Sequence, residues 1–274
     1  MVRKQNLHTH STFCDGADTP EQMVLAAIEK GFDSIGFSSH GYIAGPKRPG
    51  AVTLTPETIP AYFAEIQRLK ELYKEQIQIY TGLEADSLTT VTDPFDYLLG
   101  AVHILLVDGQ MVSFDRSCQV VEDIIRDWFH GDGMAYAQAY YDALARLPEH
   151  GKYDIIAHFD LITKHCENAC LFDTESDMYR RAWMDAADAL SGKIPLFEVN
   201  TGAVARGYRT IPYPKAEIIR FMREKGFGAV ISSDCHNRHK LDCNWNEAEI
   251  LLKECGYREI FLLTEEGFVP TPLE

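Results

Sequence analysis

The stretch Leu7-His8-Thr9-His10 sets two imidazoles on either side of a residue that must face the other way. Successive side chains of an extended strand point to opposite faces, so His8 and His10 share one. Two neutral imidazoles side by side at the end of an apolar strand suit a transition ion better than a packed core. By itself His-x-His also fits a partly buried structural pair, and the chain has ten histidines. Repetition separates the two readings. Six later apolar runs read as strands, and most end in His, Asp or Glu, which is the layout of a barrel whose C-terminal strand ends form one site.

Outward from that strand, the runs are 34–39, ending in His40; 77–83, ending in Glu84 with Asp86 on the same face; and 96–102, ending in His103. Then come 153–157, ending in His158; 195–199, leading into 200–209; and 228–233, ending in Asp234-Cys235-His236. Helical patterns fall between them. Thr19-Pro20-Glu21-Gln22 is a helix start, with Thr19 as N-cap, Pro20 at the first position and Gln22 closing a capping box. Val24, Ala27 and Ile28 form its buried stripe, and Gly31 ends it. Tyr62, Ile66, Leu69 and Tyr73 are the core face of a helix over 58–76, and two further stretches, 120–129 and 134–147, are divided by Gly131-Asp132-Gly133. Thr174 caps a helix expected to bury Met178, Ala182, Ala186 and Leu190; Pro214 opens another, and 246–254 is the last, before a hairpin of 259–263 and 267–269. The Gly/Pro-rich loop 41–56 is long for a connection and suits a lid over the site. Strands alternating with helices imply a parallel sheet, and seven repeats with ligands at one rim imply an α/β barrel, closed or nearly so, forming one domain over 1–274.

The formal net charge is −15, with 41 acidic against 26 basic residues. A surface this acidic repels nucleic-acid backbone and anionic membrane, both of which are bound through clustered Lys and Arg. No apolar run reaches membrane-spanning length and no signal-like segment precedes the first strand, so a cytoplasmic protein with reduced thiols at its seven cysteines is expected.

The strand-end residues are His8, His10, Asp15, His40, Glu84, His103, His158, Asp234 and His236. One zinc-like ion takes three or four ligands, so this set exceeds a mononuclear site. Any one of them, Asp15 or His40 for instance, also reads as a satisfied rim polar group; all of them at successive strand ends do not. His130, His150, His165 and His239 fall in helices or loops and read as surface residues, and the pleat turns Cys235 away as a buried thiol.

The segments Leu7-His8-Thr9-His10-Ser11, Ser38-Ser39-His40, Gly82-Leu83-Glu84-Ala85-Asp86, Gly100-Ala101-Val102-His103, Ala157-His158-Phe159-Asp160-Leu161 and Ser233-Asp234-Cys235-His236 together resemble the motifs of the polymerase and histidinol phosphatase (PHP) superfamily, in its stand-alone histidinol-phosphatase branch. The resemblance runs over essentially the whole chain. It implies a distorted seven-stranded, TIM-like (β/α)7 barrel with three divalent metal ions. By motif, one ion takes His8, His10, Glu84 and Asp234; Glu84 bridges to a second held by His103 and His158; the third takes Asp15, His40 and His236. Many relatives carry His where this chain has Asp15. Segment 200–209 resembles the family's phosphate-binding loop, with Arg206 as the first choice for the phosphate and Arg209 as the alternate.

Imidazole and carboxylate ligands suit Zn²⁺, Mn²⁺, Fe²⁺ or Co²⁺, and no thiolate stands at the rim to select zinc. Paired ions lower the pKa of a shared water, so a metal-bridging hydroxide is the expected nucleophile. No Gly-x-Ser-x-Gly elbow, Gly-rich phosphate loop or Cys-based phosphatase signature competes with it. Asp234 is a candidate for orienting that nucleophile or protonating the leaving alkoxide. The expected reaction is phosphomonoester hydrolysis of a small-molecule phosphate, L-histidinol phosphate first, with a nucleotide or another small phosphate as alternative. A metal-dependent amidohydrolase also uses a strand-one His-x-His, but typically bridges its ions with a carboxylated Lys, and this chain has Glu84 and no strand-end Lys. A metal-stabilised interaction module is the non-enzymatic alternative.

Overall fold

The computed structural model describes residues 4–44 and 52–273. The chain runs β1 (Gln5–Asn6), α1 (Pro20–Glu29), β2 (Ser34–Phe37), α2 (Ile59–Tyr73), β3 (Gln78–Asp86) and β4 (Tyr97–Ala101). A hairpin of β5 (Ile104–Val107) and β6 (Gln110–Ser113) follows, then α3 (Cys118–Trp128), α4 (Gly133–Ala145) and the single turn α5 (Leu147–His150). Next are β7 (Ile155–Ile156), α6 (Asp177–Leu190), β8 (Leu196–Asn200), the one-turn α7 (Gly202–Ala205), α8 (Ala216–Glu224) and β9 (Gly228–Ser232). Helix α9 (Trp245–Glu254) and the hairpin of β10 (Glu259–Thr264) and β11 (Gly267–Pro272) complete it.

Strands β1, β2, β3, β4, β7, β8 and β9 are neighbours in that order, and every pair is parallel. A parallel bridge from Thr9 to Cys235 closes the ring, with the His10 N–H donating to the Cys235 carbonyl at 2.9 Å. The expected α/β barrel is therefore present, but its first strand is Gln5–Asn6, just ahead of the expected 7–10, which keeps only an isolated bridge at Thr9. The ladder stops at Asn6 because side chains take over the backbone groups that follow. Thr9 N–H donates to Ser38 Oγ (3.2 Å), and Thr9 Oγ1 donates to the Gly36 carbonyl (2.8 Å). His8 and His10 are left on the other face of this side-chain-tied segment.

The barrel interior is filled from below by Tyr97. A Cβ on Gly36 would stand 2.3 Å from its hydroxyl oxygen, and one on Gly82 would stand 2.2 Å from its ring. Two neighbouring strands thus carry glycine where the ring crosses, and the hydroxyl donates to the Leu7 carbonyl at 2.5 Å. Leu7, Leu99, Ile155, Leu196 and Val230 pack with it in this inner core, whereas the helices cover a larger outer core around Tyr62, Tyr140, Trp183 and Phe197.

The capping box at Thr19 and Gln22 forms as expected, and Gly31 ends α1 with φ +72. Other elements differ. Helix α6 is capped by Ser176, whose hydroxyl accepts from Tyr179 N–H, not by Thr174; Ala182, Ala186 and Leu190 are buried as expected, but Met178 is 65 % exposed and Tyr179 and Trp183 are buried instead. Pro214 does not open α8. The backbone of Tyr213 exchanges hydrogen bonds with Asn200 at 2.8 and 3.0 Å, which keeps the chain extended until Lys215 caps the helix. The middle of the proposed lid, 45–51 of 41–56, lies outside the described residues. Among the described residues no helix is long and apolar enough to cross a membrane.

Candidate metal centre

The nine strand-end residues all come together over the C-terminal ends of the barrel strands. His8 Nε2 lies 3.4 Å from Glu84 Oε2 and 3.6 Å from Asp234 Oδ1; His10 Nε2 lies 3.6 and 3.2 Å from the same two oxygens. Donors about 3.3–3.5 Å apart are what a tetrahedral ion with bonds of about 2.0–2.2 Å requires. The second oxygen of Glu84 turns the other way, with Oε1 at 2.9 Å from His158 Nε2 and 3.2 Å from His103 Nε2. A third group gathers on Asp15, whose Oδ1 is 3.3 Å from His236 Nε2 and 3.5 Å from His40 Nε2; His40 Nδ1 in turn faces Glu84 Oε2 at 2.8 Å.

The fit of these residues to cations follows from what is left unpaired. His8 Nε2, His10 Nε2, Glu84 Oε2 and His158 Nδ1 are buried with no hydrogen-bond partner. Unpaired buried polar atoms cost about 1–3 kcal/mol each, so a cluster of them marks a place for an ion. Electrostatics agree. Burial opposes the charged form of Glu84, yet His40, His8 and His103 around it hold its carboxyl well below the usual range. Burial likewise works against protonated His103, but Glu84 and Asp86 raise it to about 10. His8 and His40 are raised in the same way, against burial, by the carboxylates they face. The cluster calls for positive charge at its centre, which a divalent ion supplies in place of protons.

Supporting groups hold the imidazoles in place. Glu198, fully buried on β8, accepts His8 Nδ1–H at 2.9 Å, the His158 backbone N–H at 2.7 Å, Asn200 Nδ2–H at 2.7 Å and the Ser232 hydroxyl at 2.5 Å. Sequence reading passed over Glu198. The available signal was alternation along Leu196–Asn200, which turns a carboxylate and an amide to the face opposite Phe197 and Val199. Asp86 accepts the His103 N–H at 2.7 Å. Burial pushes the Cys14 thiol up, but His10 beside it brings it down to about 6. His158 and Asp234 adopt left-handed backbone at φ +21 and +45, a strained conformation that non-glycine residues hold where the surroundings fix them.

A cavity of about 240 Å³ opens above seven of the nine residues, walled by Asp115, Leu161, Lys164, Arg206 and Tyr208. Arg206 follows α7 and is tied to Asp234: Nη2 stands 2.9 Å from its Oδ2 and Nη1 donates to its carbonyl at 2.8 Å. It thus has both a place at the pocket and a carboxylate partner. Burial opposes the charged form of Asp234, but Arg206 and then His8 hold it well below the carboxylate range, which suits a ligand.

Arg209 is placed elsewhere. Its side chain is buried, donates to Thr163 Oγ1 at 2.7 Å, meets Asp160 at 3.5 Å and lies 4.6 Å from the Tyr213 ring centroid, so it braces the loop and does not line the cavity. His165 is also corrected: it is buried, and its Nε2 donates to the Arg116 carbonyl at 2.7 Å. Asp115 and Lys164, paired at 2.7 Å, are pocket residues that carried no strand-end signal.

Comparison with known proteins agrees with this geometry. A family model described as PHP domain matches residues 6–202. A protein of Schizosaccharomyces pombe named "Probable histidinol-phosphatase" is 28 % identical, over 95 % of this chain and 89 % of its own. The histidinol-phosphatase of Lactococcus lactis is 24 % identical over 94 % of each chain. Among solved structures, the histidinol phosphate phosphatase of Lactococcus lactis complexed with zinc, L-histidinol and phosphate superposes with a TM-score of 0.72 at 20 % identity, covering 98 % of this chain and 100 % of that one. That likeness shows the shared fold.

Proposed function

The chain belongs to the PHP-domain family, and from that premise we propose that it is a metal-dependent phosphatase of small phosphate monoesters, with L-histidinol phosphate as its substrate. The observation that carries the reading is Glu84, whose two oxygens face two separate imidazole sets beneath a cavity that also receives a guanidinium. His8, His10, Glu84 and Asp234 would hold one ion, Glu84, His103 and His158 a second, and Asp15, His40 and His236 a third. Divalent ions so placed supply Lewis-acid activation of water and charge neutralisation of a phosphoryl group at neutral pH.

The chain's own residues do the rest. Glu198 and Asp86 fix the imidazoles through Nδ1–H and backbone N–H groups, so the ligand set meets its cations without reorganising. Arg206 presents a planar fork of donors at the cavity wall for phosphate oxygens, while its bond to Asp234 sets its orientation. Leu161 and Tyr208 complete that wall. Asp115 supplies a carboxylate outside the ligand set, suited to the ammonium of an amino-alcohol phosphate. A cavity of about 240 Å³ lies just below the roughly 300–1,000 Å³ of typical ligand pockets, which suits a compact ester.

Phosphate release measured over a panel tests the substrate. Histidinol phosphate should be hydrolysed with higher kcat/KM than ribose phosphates, nucleotides or p-nitrophenyl phosphate. Asp115→Asn should raise KM for histidinol phosphate about tenfold and leave p-nitrophenyl phosphate, which has no ammonium, nearly unaffected. A nucleotide turned over more efficiently by the wild type would refute the substrate while leaving the metal centre standing.

A further inference from the structure

Cys14 has no part in the chemistry above, yet it touches the first ligand pair. It is 5 % exposed, and its sulfur lies 3.3 Å from His10 Nδ1. The turn that carries it is tight: Cys14 N–H and Gly16 N–H both donate to the Ser11 carbonyl, at 2.9 and 3.1 Å. A Cβ on Gly16 would stand 2.4 Å from the Ser11 nitrogen, so only glycine lets the turn close this far. The backbone thus holds the Cys14 Cα in place beside the first ligand strand.

The opposite nitrogen of His10 faces the centre. Nε2 is buried, has no hydrogen-bond partner, and lies between Asp234 Oδ1 and Glu84 Oε2 at 3.2 and 3.6 Å. A ligating nitrogen must offer its lone pair, so the ring proton belongs on Nδ1. Two groups stand near that atom. Asp15 Oδ1 is 3.7 Å away, beyond hydrogen-bond reach, whereas the sulfur is within it. His8 shows the same division, with Nε2 inward and Nδ1–H donated outward, but to the Glu198 carboxylate.

We propose that Cys14 is a positioning residue of the metal centre: its sulfur accepts the Nδ1–H of His10 and thereby fixes the tautomer and ring plane that turn Nε2 toward the ion. The two histidines of strand one are then backed differently, His8 by a carboxylate and His10 by a polarizable sulfur. The inference rests on the reading of His10 as a ligand.

Zinc affinity, measured by competition with a chromogenic chelator, and the visible absorption of cobalt-substituted protein test it in Cys14→Ala, Cys14→Ser and His10→Ala. Loss of an outer partner typically weakens metal affinity about 10–100-fold, and that loss is expected for Cys14→Ala, with an altered cobalt spectrum. Cys14→Ser, whose hydroxyl also accepts, should recover most of the affinity. The metal-free proteins should melt within a degree or two of one another. Unchanged zinc affinity and cobalt spectrum in Cys14→Ala, with only a lower melting temperature, would show that Cys14 merely packs. His10→Ala separates the two levels: full metal content in that variant would sink His10 as a ligand and this proposal with it. Metal loss in His10→Ala alone would sink the role of Cys14 only.

Discussion

Glu84 presents Oε2 to His8, His10 and His40 and Oε1 to His103 and His158, so removing its charge touches more than one ion. Glu84→Gln keeps the volume and should lose more than one equivalent of metal together with nearly all turnover, while far-ultraviolet circular dichroism stays native. Elemental analysis decides this; full metal content and normal activity would rule out the bridging role. Arg206 poses a sharper choice, since it lines the cavity and holds Asp234 at once. Arg206→Ala should lower kcat/KM by tens- to a thousand-fold, or ~2–4 kcal/mol for a charge-assisted contact in a shielded site, and weaken inhibition by inorganic phosphate. Arg206→Lys should restore part of this, because an ammonium cannot reproduce the planar fork. If phosphate inhibits Arg206→Ala as well as it does the wild type and only the melting temperature falls, the arginine serves Asp234 alone.

At the level of single elements, β3 carries the centre: its first half pairs with β2 and its second half with β4, and Glu84 lies two residues beyond Gly82. Gly82→Ala would drive a methyl group to 2.2 Å from the Tyr97 ring, which is hemmed in by Gly36 and Leu7 and has nowhere to retreat. Overpacking of this kind costs about 1–3 kcal/mol, and a drop of that size in a urea titration is expected, with reduced metal content. A midpoint equal to wild type would mean that the ring swings aside. The clustered residues at the ends of such strands were legible because one physical rule, alternation, puts strand-end polar groups at a common rim. Glu198 escaped because it lies within a strand, flanked by apolar residues, where a charge reads as exposed. At α6 the phase was read correctly, with Ala182, Ala186 and Leu190 buried, but the start was not: with the cap at Ser176 instead of Thr174, Met178 falls in the exposed first turn and Tyr179 takes the inward position. The hairpin of β5 and β6 was announced by Asp108-Gly109, both with positive φ, a strong two-residue hairpin signal that went unread among the strand ends. Arg209 could not be separated from Arg206 without knowing that Asp160 and Thr163 lie beside it.

For the molecule as a whole, metal and proton compete. Without an ion, His103 keeps its proton to about pH 10 against an ordinary value of 6.5, so its contribution to stability is complete below 6.5 and is lost as pH rises through 10. Glu84 and Asp234, held below their ordinary range, contribute above about pH 4–4.5 and lose that contribution as pH falls through their depressed values. A cation needs neutral imidazoles and ionised carboxylates. Its binding between pH 6.5 and 10 must therefore expel protons and strengthen as pH rises. Calorimetric titration of zinc into metal-free protein at pH 7.5, in buffers of different ionisation enthalpy, should show net proton release; heats that do not depend on the buffer would contradict it.

The barrel's closure also has a consequence for how the protein is made. The bridge from Thr9 to Cys235, and the bond from Asn6 Nδ2 to Ser233 Oγ across 227 positions, join the first strand segment of the barrel to its last. At about 5–20 residues per second, roughly 10–45 s pass between the emergence of His10 and that of Asp234. On the proposed ligand set, His8, His10 and Glu84 would wait through that interval for Asp234, their fourth partner. Full coordination of that ion would then follow closure of the ring and not serve as a template for it.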